Sequence, residues 1–421
     1  MRLNNINSGL VKILVGKNLP DVHYMKNLKA RSFGDRCVHV YKTFIIHPIK
    51  RRLAKYYLSV LRKCFDIKVV GITGSAGKTS TKEMLSSILS LKGETIYSYK
   101  NIDPVYNIPT TILKCRPSTK YLVLEMGVEY PGEMDLYLWL AKPNIAVITN
   151  INPTHLTYFK SVDNVYKEKV KLALFTGEND RVVLNREDTY LKKTTKDNIR
   201  GMVTYFGKGT NVYSDNYRIK RSGSIYTLNI NGKRVAVNLP IIGRHFVNNS
   251  LAAAAVAYDL GISPTDIKKG LENFIPLEHR MNIIELENNR VIIDDTYNNN
   301  PKAAKETLIS FNEISKVYKN YKKGIVFGDM LELGEDSEKY HQEIGGVISK
   351  MDIGFIICVG KESDKIIEIV KKKKNIVKAY GVKDKNEAYL LLKPLLSKNT
   401  LVLLKGSRSI GLDDVVEKLS Q

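Results

Sequence analysis

At 421 residues the chain is too long for one ordinary hydrophobic core and predicts two or three domains. Four widely separated cysteines (Cys37, Cys64, Cys115, Cys358) form no Cys-x-x-Cys pair, which speaks against a zinc ribbon or a disulfide framework and fits a reducing cytoplasm. The formal charge of +23 would suit anionic partners, but residues 1–68 hold 15 Lys+Arg against 3 Asp+Glu, so about half the excess is terminal; no aromatic-rich basic stripe points to nucleic acid, and no apolar run reaches the roughly 18 residues of a membrane span.

Residues 1–67 form a short basic segment. Within it Pro48 opens a predicted helix in which Ile49, Leu53, Tyr56, Tyr57, Val60, Leu61 and Cys64 recur at helical spacing, with Lys50, Arg51, Arg52, Lys55, Arg62 and Lys63 mostly on other faces. Such a helix either packs on the next domain with its charges solvated or rests on an anionic membrane surface.

Residues 68–278 read as a central α/β domain. The β-branched run Lys68–Ile72 predicts a buried strand that breaks into Thr73-Gly74-Ser75-Ala76-Gly77-Lys78-Thr79-Ser80, a phosphate-binding loop running into a helix over 80–92. Glycine lets the backbone close around an anion, and the first N–H groups of the helix have no internal partner, so negative oxygens belong there. Lys78 is placed to meet the β- and γ-phosphates of a nucleotide, and the Thr79 hydroxyl to ligate the accompanying Mg²⁺. Further strands are predicted at 121–125, 144–149 and 181–185, with a helix over 163–175, an alternation that argues a mostly parallel sheet. Shorter alternating runs at 202–240 predict a small antiparallel patch, and 249–260 an Ala-rich helix with Asn249 near its start. Residues 279–421 repeat the alternation as a second, Rossmann-like α/β domain, with strands at 290–295, 324–328, 354–359 and 400–405.

The motifs GITGSAGKTSTKE, LEMGVEYPGEMD, KPNIAVITNINPTHL, GRHFVNNSLAAAA, IDDTYNNNP, GDMLELG and LLKGSRS follow one another in an order that resembles the Mur ligase family. These are ATP-dependent amide ligases of cell-wall peptide assembly, and DDTYNNNP with GDMLELG is most similar to the MurF type, which adds D-alanyl-D-alanine to a UDP-linked muramoyl tripeptide. The resemblance implies that Glu125 holds Mg²⁺, that His155 lies near a second metal, and that Lys169, fourteen residues on, is carbamylated by CO₂ and becomes an anionic metal ligand. Lys171 stands where many MurF-type sequences are acidic; a cation there would stabilise the carbamate. The resemblance further implies that Asn249 contacts adenine, Arg280 reaches the phosphates, Asp295 and Tyr297 line the nucleotide side of the second domain, and Asn101 and Pro109 belong to the acceptor loop. That loop departs from the family at Asp103-Pro104.

The expected activity is ligation through an acyl phosphate by a cytoplasmic monomer, with no specific nucleic-acid partner. Members of the family usually carry a longer α/β domain for the UDP moiety where this chain has 1–67, so the basic residues of that segment are expected either to meet the UDP diphosphate or to dock at an anionic membrane. Alternatives are a ligase for another polymer (a pseudomurein-type peptide, a polyglutamate chain, a folate tail) and a non-ligating, membrane-docked ATP-binding protein.

Overall fold

The computed structural model describes Gly34, Val38 and residues 41–99, 102–194, 199–373 and 378–420; Cys37 and Asn101 lie outside the described residues. The first sheet has nine strands in the order β2-β3-β1-β4-β5-β6-β7-β8-β9. They are β1 Lys68–Thr73, β2 Glu94–Tyr97, β3 Thr119–Glu125, β4 Ile145–Ile148, β5 Arg181–Asn185, β6 Met202–Phe206, β7 Val212–Lys220, β8 Gly223–Ile230 and β9 Lys233–Leu239. Pairing is parallel from β2 through β7 and antiparallel across β7, β8 and β9. The 202–240 patch is thus an extension of the main sheet, and its first strand, β6, is parallel to β5.

Strand β1 sits between β3 and β4, so its alternate residues face two cores. Val70 and Ile72 meet Met84, Leu85 and Ile88 of the Lys78–Ser90 helix and the alanines of the Arg244–Asp259 helix. Val69, on the other face, shares a cluster with Ile108, Leu138 and Leu172 of the Pro104–Ile112, Glu133–Ala141 and Val162–Leu174 helices. The Ala-rich helix starts at Arg244, five residues before the expected start, behind Gly243 at φ 138°, so Asn249 is buried within it rather than near its end.

The second sheet has the order β10-β11-β15-β12-β13-β14, with β10 Asn282–Leu286, β11 Arg290–Asp295, β12 Lys322–Gly328, β13 Phe355–Val359, β14 Lys378–Val382 and β15 Thr400–Lys405. Only the edge strand β10 is antiparallel to its neighbour. A mostly parallel sheet followed by a second α/β unit is the expected fold class. Among the described residues no helix is long and apolar enough to cross a membrane.

The N-terminal segment corrects the sequence reading. A π turn at Lys42–Ile46 leads into a helix over His47–Cys64, and that helix packs on the central sheet unit, but through Pro48, Arg51, Ala54, Leu58 and Leu61. The apolar residues Ile49 (58% exposed), Leu53 (58%), Tyr56 (66%) and Val60 (55%) face outward instead. The physical cause is what lies beneath. The C-terminal end of Glu133–Ala141 and the turn that follows Pro104–Ile112 present carbonyls to this helix, and donors are needed there. Arg62 donates to the carbonyls of Ala141 (3.2 Å) and Lys142 (2.6 Å) and to Asn144 Oδ1 (2.7 Å), and the Tyr57 hydroxyl donates to the carbonyl of Cys115 (2.7 Å). Lys50 bonds Thr110 (2.8 Å), and Lys55 lies 4.2 Å from the centre of the Trp139 ring. The basic residues expected to form a solvated face are thus largely turned toward the protein.

Candidate active site

The crevice between β1 and β4 is where the strand order reverses direction, the place where open α/β sheets take ligands. The phosphate loop leaves β1 there and the Thr149–His155 loop leaves β4. The two loops are stitched together. Ser75 N donates to the Asn150 carbonyl (3.0 Å), Ala76 N to Asn150 Oδ1 (2.9 Å), and the Thr149 hydroxyl and Asn150 amide both donate to the Ala76 carbonyl (2.6 and 3.0 Å). Gly74 and Gly77 are required by the geometry. Their φ angles are 147° and 81°, and a Cβ would lie 2.0 Å from Thr149 Oγ1 at the first and 2.2 Å from Asn249 Oδ1 at the second.

Lys78 opens the helix and folds its ammonium onto the Gly74 carbonyl at 2.9 Å; burial lowers its pKa, against the pull of Glu125. Thr79 Oγ1 donates to Glu125 Oε1 at 3.0 Å. The other oxygen, Glu125 Oε2, is buried with no hydrogen-bond partner and lies 3.9 Å from the Lys82 ammonium, which bonds Glu83 Oε1 (2.9 Å) and the Ser98 carbonyl (2.6 Å). A hydroxyl and a carboxylate with a spare oxygen at the phosphate loop suit a hard divalent cation that takes its remaining ligands from phosphate and water. Among the described residues no group of three His, Cys, Asp or Glu side chains converges into a self-sufficient metal cage.

One cleft joins the two sheet units. From the first come Ala76, Gly77, Ser80 and Asn249; from the second, Asp295 and Lys405; and Arg280 enters from the connection between them. Arg280 is flanked by two residues with positive φ, His279 (61°) and Met281 (52°), a strained connection of the kind found at hinges. Its guanidinium lies 4.3 Å from the Tyr297 ring centre, and its Nε is buried without a hydrogen-bond partner. Asp295 is held by Lys405 (2.9 Å) and the Thr307 hydroxyl (2.6 Å).

Two family models match the sequence: the Mur ligase middle domain over residues 72–257, and the Mur ligase, glutamate ligase domain over 279–408. The chain belongs to the Mur ligase family. It is 34% identical to the UDP-N-acetylmuramoyl-tripeptide--D-alanyl-D-alanine ligase of Buchnera aphidicola subsp. Baizongia pistaciae, over 96% of this chain and 88% of that protein. Its fold is similar to a crystal structure of MurF from Acinetobacter baumannii (TM-score 0.81, 28% identity, 89% of this chain and 81% of the other). It is also similar to MurF ligase from Thermotoga maritima in complex with ADP (TM-score 0.78, 25% identity, 89% and 83%).

Within this Mur ligase the structure gathers Gly77, Ser80, Asn249, Arg280 and Asp295 around the cleft, with Lys78, Thr79 and Glu125 beside it. Tyr297 is not a cleft-lining residue; it carries Arg280 on its ring. Lys169 is buried, and burial together with the nearby Lys78 charge pulls its pKa well below the ordinary lysine value, while Glu133 and Glu168 oppose this. Lys171 bonds Asp135 (2.7 Å) and Glu168 (2.8 Å), so its charge is engaged by carboxylates rather than left to a carbamate. His155, at φ 51°, bonds Glu332 Oε2 of the second unit at 2.7 Å. Pro109 is buried inside its helix, and Asp103 caps that helix by accepting from Val105 N (3.0 Å), with Pro104 at the first turn. The departure at Asp103-Pro104 therefore makes a helix start.

Sequence reasoning missed His245 and Lys405, which line the cleft, and Glu332. Burial lowers the pKa of His245 and favours its neutral form. GRHF, LLKGSRS and GDMLELG contain them, and none of these motifs says which way a side chain turns.

Proposed function

We propose that this chain is an ATP-dependent carboxylate–amine ligase that joins D-alanyl-D-alanine, or a similar amine, to the free carboxylate of a UDP-linked muramoyl tripeptide. The observation that carries this reading is a cleft with the phosphate loop on one wall and Arg280, Asp295 and Lys405 on the other. The names of the relatives supply the substrates.

A carboxylate resists an amine because it is anionic and would have to expel oxide. Transfer of the ATP γ-phosphoryl group to a carboxylate oxygen gives an acyl phosphate and ADP. The neutral amine then attacks the acyl carbon, the C–N bond forms as the C–O bond to phosphate breaks, and the nitrogen loses a proton to leave an amide and inorganic phosphate. In this sequence Lys78 exchanges the Gly74 carbonyl for the β- and γ-phosphate oxygens, and the spare Arg280 Nε donor meets the transferred group. Thr79 and Glu125 would hold Mg²⁺, which supplies neutralisation of the phosphate charge. Lys169 carries a carbamate in this reading: its unprotonated amine adds to CO₂ and sheds a proton, so an anion forms near Lys78. Closure of the second unit excludes water that would hydrolyse the acyl phosphate.

The test is release of ADP and phosphate from ATP, UDP-linked muramoyl tripeptide and D-alanyl-D-alanine, supplied singly and together. Release requiring all three, and indifferent to added DNA or RNA, is expected. Release that ignores the amine, or that needs a polyglutamyl or folate acceptor instead, overturns the reading.

The outward stripe of Ile49, Leu53, Tyr56 and Val60, with exposed Lys63 beside it, supports peripheral contact with an anionic membrane. The contact would rest on apolar area more than on charge. Leu53→Asp should abolish co-sedimentation with phosphatidylglycerol vesicles, and equal sedimentation of both proteins would remove the membrane from the account.

A further inference from the structure

The helix that follows the phosphate loop carries a second lysine one turn beyond Lys78. Lys82 is fully buried, does not line the nucleotide cleft and has no part in the chemistry derived above. A buried cation is costly unless it is bonded, so its partners point to its use. The Lys82 ammonium donates to the Ser98 carbonyl (2.6 Å), pairs with Glu83 Oε1 (2.9 Å) and stands 3.9 Å from Glu125 Oε2. Ser98, the residue after β2, is itself fixed to the end of β3: its N–H donates to the Val123 carbonyl (3.0 Å), and its hydroxyl accepts from Glu125 N (3.1 Å). Backbone therefore holds the ammonium in place behind Glu125.

The two oxygens of Glu125 have different surroundings as a result. Oε1 receives the Thr79 hydroxyl (3.0 Å), whereas Oε2 is shut off from solvent and faces the ammonium. The side chain as a whole is 14% exposed, so a cation arriving at the phosphate loop meets Oε1 and not Oε2. A metal that took both oxygens would have to lie close to a buried ammonium, which repels it. Mg²⁺ is small, takes single oxygens in a near-octahedral shell and keeps several waters, while the larger Ca²⁺ takes more oxygens and accepts both from one carboxylate.

We propose that Lys82 is a positioning residue that confines Glu125 to one metal-facing oxygen and thereby makes the site prefer Mg²⁺ to Ca²⁺. The inference rests on the ligase reading, in which Thr79 and Glu125 hold the cation beside the nucleotide phosphates, and adds the residue that selects which cation is held.

The experiment dialyses the full-length chain, Lys82→Met and Lys82→Gln against Mn²⁺ and ADP, and adds Mg²⁺ or Ca²⁺ until half of the retained Mn²⁺ is displaced. The unsubstituted chain should need about tenfold more Ca²⁺ than Mg²⁺. Lys82→Met removes the charge, and Lys82→Gln removes it while keeping a donor for the Ser98 carbonyl. In both, the Ca²⁺ requirement should fall about tenfold while the Mg²⁺ requirement stays within about twofold. Equal displacement by the two cations from the unsubstituted chain overturns the proposal whether or not either variant folds. A Lys82→Gln protein that discriminates as the unsubstituted chain does makes Lys82 an anchor for Ser98 alone, and a parallel shift for both cations makes it a support of the loop; each overturns the assignment. No amine or acceptor is present, so a chain that retains Mn²⁺ without discriminating fails this proposal only, whereas one that retains no Mn²⁺ with ADP fails the ligase reading as well.

Discussion

Replacing Lys78 with alanine is expected to cut amide formation by about a thousandfold, the usual scale for removing one donor aimed at developing phosphate charge. The fold should survive. The Lys78 ammonium makes a 2.9 Å bond to the Gly74 carbonyl, and a single such bond is worth about 1 kcal/mol, too little to unfold a chain of this size. Parallel measurement of ADP release and of the melting curve separates the two effects. A variant that melts normally and turns over at nearly the rate of the unsubstituted chain would take the phosphate loop out of the reaction and with it the ligase assignment.

Lys169→Ala should lose about a hundredfold in rate and regain part of it on addition of acetate, a small anion that fits the space left by a carbamate. A second readout does not depend on turnover: with ¹³C-labelled bicarbonate the unsubstituted chain should show a carbamate carbon resonance that Lys169→Ala lacks. The surroundings of Lys169 motivate both results. Burial, at 1% exposure, and the neighbouring Lys78 charge make Lys169 give up its proton more readily, and the uncharged amine is the form that takes up CO₂. Full activity in Lys169→Ala, or loss confined to Lys171→Ala, would move the metal-binding anion elsewhere on the helix.

The sequence made the interior of both sheets legible and their margins obscure. β1, β4, β13 and β15 are buried along nearly their whole length and appear as unbroken apolar runs. β2, β10 and β14, which had no such signal, all lie at sheet edges, where partial exposure leaves no run and no clean alternation. The phosphate loop was readable because its turn is local: the four residues Gly74 to Gly77 join a strand to a helix. Pairings between distant segments were not. Nothing in NINPTHL says that His155 will meet Glu332, and nothing in VNNSLAAAA says that Asn249 will stand over Gly77.

The inverted helix at His47–Cys64 shows the same limit from another side. Spacing identified the helix but not its buried face, because that choice was made by carbonyls at the ends of two other helices, which claimed Arg62 and Tyr57. A rule that places apolar residues inside fails where the partner surface asks for donors.

The strand order also fixes when each half of the molecule can first exist. β1 is made before either of its neighbours and has no partner on either side until β3 and β4 follow, and in the second half β15 fills the gap between β11 and β12. At about 5–20 residues per second, translation from Asp295 to Thr400 leaves the flanks of that gap unpaired for roughly 5 to 20 seconds. Closing a sheet around its final strand is a long-range and therefore slow event. Lys405 arrives with that strand, so the second half acquires its sheet and this cleft-lining cation together. A chain stopped before Thr400 would carry its phosphate loop complete and a second sheet with a gap between β11 and β12.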